Sequence, residues 1–193
     1  MNVLGISGSM RQGSYGARAL AIALEAAREH GGETRLLDLR VSELPMYRPD
    51  ESLDSPILRE ATAMVEWADA FLLASPDYHG SISGALKNFL DHHWDEFAGK
   101  LFGFLCASHE KGITAMEQMR VAVRQCYGWS LPYGVAVHSD SDFASTGDLK
   151  NEKLERRLRM LGRDLVIYGS LLRDQFRRDV RSDESSTFAS RYR

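Results

Sequence analysis

The chain has 193 residues, 44% of them hydrophobic and 26% charged, with a formal net charge of −3. That length suits one domain with a full core, and the mild negative charge excludes an overall basic field of the kind that recruits nucleic acid. No apolar run approaches the roughly 20 residues of a membrane span.

Residues 3–6, Val-Leu-Gly-Ile, read as a first strand. The loop after it crowds Ser7, Gly8, Ser9, Arg11, Gly13, Ser14 and Gly16 ahead of a helical pattern at 17–30. Leu20, Ala21, Leu24 and Ala27 recur there at helical spacing, and Gly31-Gly32 ends it. A strand, a glycine- and hydroxyl-rich loop and a helix start together suit an anion. The first N–H groups of a helix lack internal partners and carry positive partial charge. Arg11 adds a fork of donors shaped for phosphate. The spacing matches neither the P-loop nor the G-x-G-x-x-G fingerprint. Taken alone, the loop reads as a phosphate site or as an ordinary turn carrying a surface arginine.

Residues 34–39 read as a second strand, followed by a loop from Leu44-Pro45 through Pro49 and Asp50 to Pro56. From Ile57, the positions Ala61, Met64, Val65 and Ala68 mark one face of a second helix. Residues 70–75, AFLLAS, show no polar alternation, as expected of a parallel strand covered on both faces. A second turn-rich loop, Pro76-Asp77-Tyr78-His79-Gly80, leads to a helix over 83–91. Residues 100–108 read as a fourth buried strand, and Met116, Met119, Val123 and Cys126 as the apolar face of the next helix. Residues 133–138 read as a fifth strand. After a polar stretch at 140–150, Asn151 is a plausible N-cap for a long last helix striped by Leu154, Leu158, Leu161, Leu165, Tyr168 and Leu172. Residues 177–193 are charged, with Phe188 and Tyr192 isolated, and read as a mobile tail or an arm packed on a partner subunit. The domain is therefore set at 1–176.

Alternating strands and helices give an α/β fold: a flavodoxin-like, doubly wound, five-stranded parallel sheet in the order 2-1-3-4-5, with helices on both faces. Its switch point lies between the first and third strands, where the two loops at 8–16 and 76–80 emerge. Ligands bind in that crevice. A phosphate on the first loop and a flat polar ring beside the second describe FMN, with backbone N–H groups of residues 77–80 facing the ring.

Gly8-Ser9-Met10-Arg11-Gln12-Gly13-Ser14, the loop Pro76-Asp77-Tyr78-His79-Gly80-Ser81 and Leu86-Lys87-Asn88-Phe89-Leu90-Asp91 together resemble the NADPH-dependent FMN reductase family. The resemblance covers residues 3–137. It implies that Ser9, Arg11 and Ser14 hold the FMN phosphate, with Tyr15, Gly16 and Ala17 donating from the helix start. It further implies that Pro76, Asp77, Tyr78, His79 and Gly80 line the isoalloxazine, and that Ser108 and its loop complete the pocket. Lys87, Asn88 and Asp91 would sit on the helix that commonly forms the dimer interface. Two departures stand out: Gly16 where the family often has Asn, and Ser108-His109-Glu110-Lys111-Gly112 where it is often Gly-Gly-rich.

The expected function is an FMN-dependent NAD(P)H oxidoreductase acting by ping-pong transfer on quinones, azo or nitro compounds, metal oxyanions or flavin. No side chain is expected to carry the chemistry, because the flavin does. His79 is read as a rim residue. Lys111 reads equally as a contact to the NADPH 2′-phosphate or as a solvated lysine. His92 and His93 are adjacent on a helix and point apart, so no metal is expected. The 2 cysteines lack a C-x-x-C partner and read as buried thiols in a reducing compartment. With no signal-peptide pattern, the expected location is the cytoplasm. A homodimer, or a dimer of dimers, is expected. The alternatives are a flavodoxin-type electron carrier and a flavodoxin-like interaction protein without cofactor.

Overall fold

A computed structural model describes residues 1–51 and 54–193. Residues 52 and 53, inside the loop read at 44–56, lie outside the described residues. The chain runs β1 (Asn2–Ser7), α1 (Tyr15–Glu29), β2 (Glu33–Asp38), α2 (Pro56–Trp67), β3 (Ala70–Pro76), α3 (Gly84–Asp91) and β4 (Leu101–Ala107). It continues through α4 (Ile113–Gln125), β5 (Trp129–Ser130), β6 (Val135–Val137), α5 (Ser139–Asp142) and α6 (Glu152–Arg181). All strand pairs are parallel, in the order β2-β1-β3-β4-β5, and β6 also pairs with β4.

The expected single fifth strand is two short ones. β5 pairs with Leu101 and Phe102 at the start of β4, and β6 pairs with Leu105, Cys106 and Ala107 at its end. Pro132 lies between them and has no N–H to give to a ladder, so the fifth position is broken in the middle.

Alternation along the buried strands sorts side chains between two layers. Val3, Leu72 and Leu105 pack under α1 and α6, with Leu20, Leu24, Leu158, Leu161 and Leu165. Leu4, Ile6, Phe71, Leu73, Phe102 and Phe104 face the other way, with Val65, Phe89 and Met119. Phe71, Phe97 and Phe102 form an aromatic knot there, with ring centroids 4.6–5.3 Å apart. Helices α1 and α6 cross in contact at Gly162, where an added Cβ would stand 2.0 Å from the Ala23 carbonyl oxygen.

Asn151 caps α6, its side-chain oxygen accepting from the N–H groups of Lys153 and Leu154. The helix runs to Arg181, so the boundary expected at residue 177 falls inside it. Phe188 and Tyr192 are not isolated: a short 3-10 segment, Phe188–Tyr192, returns onto the chain. Phe176 lies 5.6 Å from Phe188 and 5.7 Å from Tyr192, centroid to centroid. No helix among the described residues is long and apolar enough to cross a membrane.

Candidate functional site

The loops leaving β1 and β3 meet at one end of the sheet and are fastened together beneath the surface. Gly8 N–H donates to the Ala74 carbonyl at 2.8 Å. The Ser83 hydroxyl donates to the Gly8 carbonyl at 2.6 Å and accepts the Leu86 N–H at 3.1 Å, capping α3. Ser83 N–H in turn donates to Ser75 Oγ at 3.0 Å. Only glycine fits at position 8, since a Cβ would meet Leu86 Cβ at 2.9 Å and the Ala74 oxygen at 3.0 Å.

Above this floor opens a cavity of about 440 Å³. The first loop and the start of α1 supply Ser9, Arg11, Ser14 and Tyr15 to its wall. The second loop supplies Pro76, Asp77 and Tyr78, and the end of β4 supplies Ser108. The structure thus brings together eight of the twelve residues singled out in the sequence. Gly16 and Ala17 sit in the first turn of α1 behind the wall, and His79 and Gly80 form the tip of the second loop. Ala107, His109 and Val137 also line the cavity. Ala107 pairs with Val137 in the β4–β6 ladder, so the rule that ligands sit beyond strand C-termini could have found both. His109 belongs to a loop that had been singled out only as a whole.

The first loop offers donors. Ser9 and Ser14 are buried, and each hydroxyl oxygen accepts a local N–H, from Arg11 and Ala17 respectively, at 3.2 Å. Each keeps its hydroxyl hydrogen to give. Ala17 N–H is thereby committed to the cap, whereas Gly16 N–H and the Arg11 guanidinium have no partner among the described residues.

The second loop is more occupied than expected. His79 and Gly80 both take positive φ, 59° and 74°, as the two central residues of a tight hairpin turn closed by Tyr78 and Ser81. Asp77 N–H donates to the Ala107 carbonyl, Tyr78 N–H to Ser81, and Gly80 N–H to the Asp77 carboxylate at 2.8 Å. Of the four N–H groups expected to face a ring, only that of His79 is without a partner among the described residues. The other Asp77 oxygen accepts from Ser108 Oγ at 3.1 Å, which ties the second loop to the end of β4. His138 Nδ1 lies 3.0 Å from the Ser108 carbonyl oxygen and steadies the same corner.

Other residues of interest fall outside the cavity. Asn88 turns inward: its side chain accepts the Tyr47 N–H at 2.8 Å and donates to the Pro45 carbonyl at 3.0 Å, so it anchors a loop. Lys87 and Asp91 pair with each other on the surface of α3. His92 reaches the Pro45 carbonyl and His93 reaches Thr62. Burial pushes the Cys106 thiol up to about 12 and the Cys126 thiol up to about 11, so neither forms a thiolate near neutral pH.

The family model for NADPH-dependent FMN reductases matches residues 1–142. The FMN-dependent NADPH-azoreductase of Staphylococcus saprophyticus is 33% identical over 184 residues, covering 87% of this chain and 95% of that one. Among solved structures, the flavoenzyme NAD(P)H:(acceptor) oxidoreductase FerB of Paracoccus denitrificans superposes with a TM-score of 0.73 at 20% identity, over 88% of this chain and 97% of that one. RosB, solved with 8-demethyl-8-formylriboflavin-5′-phosphate, superposes with a TM-score of 0.76 at 13% identity, over 100% of this chain and 95% of that one. A flavodoxin-like sheet with a donor-rich cleft at its switch point, matched by that family model over most of its length, makes this chain a member of the NADPH-dependent FMN reductase family, oxidoreductases that work with FMN and NAD(P)H.

Proposed function

We propose that the cleft holds FMN with its phosphate on the first loop, and that the enzyme passes reducing equivalents from NAD(P)H to azo compounds, quinones or related acceptors. The observation that carries this reading is the Arg11 guanidinium, which has no partner among the described residues. It shares one cavity with the buried hydroxyls of Ser9 and Ser14 and lies beside the start of α1. Donors gathered at a helix start with no acceptor of their own suit a dianion. The cavity has the size of a cofactor cleft.

When bound, FMN supplies the hydride and electron chemistry. The chain's part is to bind, orient and shield. Ser9, Arg11 and Ser14 hold the anionic end. Pro76, Asp77 and Tyr78 form a stiff wall, because the Asp77 carboxylate is bonded to Gly80 N–H and to Ser108 Oγ. His79 N–H is the one amide of that turn left to meet a ring acceptor. No side chain needs to move a proton in the transfer itself.

One open cavity receives reductant and acceptor in turn. Parallel double-reciprocal lines are therefore expected with an azo dye or a quinone as acceptor. The direct test is FMN titration of the purified protein by absorbance, followed by NADPH and NADH oxidation with each acceptor. A protein that ignores FMN overturns the reading.

A second copy of the chain is expected on the face made by α3 and α4. An apolar recess of about 720 Å³ lies there, walled in part by Ile82, Val121 and Ala122, and Val121 is half exposed. Light scattering at working concentration checks this, and a monomer mass refutes it.

A further inference from the structure

A second cavity, of about 360 Å³, lies at the opposite end of the sheet. Asp69 and Lys100, which line it, immediately precede β3 and β4, whereas Pro76 and Ala107 in the cleft are the last residues of those strands. Seven residues of strand separate the two sites by about 20 Å.

Its wall carries four cations, Lys100, Arg173, Arg177 and Arg181, and one carboxylate, Asp69. That carboxylate is already engaged. Arg177 reaches it at 3.0 Å, Arg173 at 3.3 Å and the Asn2 N–H at 2.9 Å. Arg173 has a second acid of its own in Asp174 at 2.8 Å. Arg181 has no partner among the described residues, and the Lys100 ammonium donates only to the neutral Val65 carbonyl, at 3.0 Å. Neither has an acid within ion-pair distance among the described residues. Burial also drives Lys100 down to about 8, against the raising fields of Asp69, Glu96 and Glu66. The rest of the wall is largely apolar. Phe176 and Tyr192, 5.7 Å apart, close one side, and Val180 adds an aliphatic patch.

We propose that this cavity is a second ligand site, for a small planar anion such as an aryl sulfonate or aryl carboxylate. The charged end meets Arg181 and Lys100, and the ring lies against Phe176 and Tyr192. Arginine recognises oxyanions through its planar fork, and aromatic walls take a flat ring with little ordering cost. The volume accepts one ring system with its substituent. The site is independent of what the cleft holds.

The test uses the full chain with FMN in excess and naphthalene-2-sulfonate as the probe. Backbone amide NMR shifts are expected at Gly99, Lys100, Arg181 and Tyr192. Affinity is expected to fall about tenfold or more in Arg181→Ala, in line with loss of a charge-assisted contact. It is also expected to weaken as salt is raised. Arg181 sits exposed at the last residue of α6, so the variant keeps the fold and its NADPH oxidation. Shifts confined to Tyr78 and His109, or an affinity unchanged in Arg181→Ala, overturn the proposal. Inorganic sulfate binding as tightly as the aryl sulfonate overturns the requirement for a ring.

Discussion

Ser83 holds the two cleft loops in register without touching the cleft, so Ser83→Ala isolates the scaffold from the ligand contacts. The side chain is 3% exposed, and its hydroxyl serves two neighbours. It donates to the Gly8 carbonyl at 2.6 Å and accepts the Leu86 N–H at 3.1 Å. Removing an N-cap acceptor costs about 0.5–2 kcal/mol. Leaving a buried carbonyl unmet costs about 1–3 kcal/mol more. A loss of about 2–4 kcal/mol is therefore expected, which in a domain of this size lowers Tm by roughly 5–15 °C. Urea unfolding followed by circular dichroism reads it, with Ser81→Ala as the control. Ser81 donates to Gln118 at 2.8 Å in an exposed contact, and its loss is expected to cost no more than about 0.5 kcal/mol. FMN affinity is expected to fall in Ser83→Ala as well, because the Gly8 turn loses its tether. Equal unfolding midpoints for the two variants would show that the buried bridge does not hold the loops.

Arg11→Ala removes the unpartnered guanidinium and is expected to weaken FMN by roughly ten- to hundredfold. Its Tm without FMN should not change, and unaltered affinity in a fluorescence titration places the phosphate elsewhere. Gly162→Ala tests the helix crossing. Alanine favours a helix by about 1 kcal/mol, yet its Cβ would stand 2.0 Å from the Ala23 carbonyl oxygen, and overpacking costs about 1–3 kcal/mol. A lower Tm is expected, and a higher one shows that α1 and α6 part freely. His93 governs part of the acid response. Desolvation holds its folded pKa below the ordinary 6.5, against weaker raising effects of the Phe89 carbonyl and Glu96. The unfolded chain therefore binds the proton first. The stability this residue contributes is whole above pH 6.5 and is lost as pH falls below it, toward the depressed folded value. In His93→Gln the unfolding free energy should fall less steeply between pH 7 and 5, and an identical slope refutes the assignment.

Continuous apolar runs and long periodic stripes declared themselves in the sequence because each buries one or two whole faces. The AFLLAS run of β3 and the leucine stripe of α6 have no other way to be satisfied. The turn between β1 and α1 was legible too, since glycines and serines crowded between an apolar run and a helical pattern mark a loop and an N-cap; the phosphate it would hold belongs to the proposal. The fifth position was legible only in its second half, where residues 133–138 contain β6 (Val135–Val137). Trp129–Ser130 is too short to show a period, and its pairing with β4 is set by tertiary contact. The return of Phe188 and Tyr192 onto Phe176 is likewise invisible along the chain, since only the fold brings residues of α6 and the terminus together.

The second loop carries the sharper lesson about the cleft. Composition marked residues 76–80 as a turn but could not say where their amides go. A tight hairpin with positive φ at both His79 and Gly80 points three of its four amides at internal acceptors and spares one. Such a loop offers a ligand a single fixed N–H and a rigid wall, and leaves the mouth of the cavity to Tyr78 and His109, both exposed. Free donors are therefore many at the first loop and few at the mouth. That asymmetry suits a site where one ligand stays bound while others come and go at the mouth. On the proposed reading, discrimination among acceptors falls to Tyr78 and His109 rather than to the first loop.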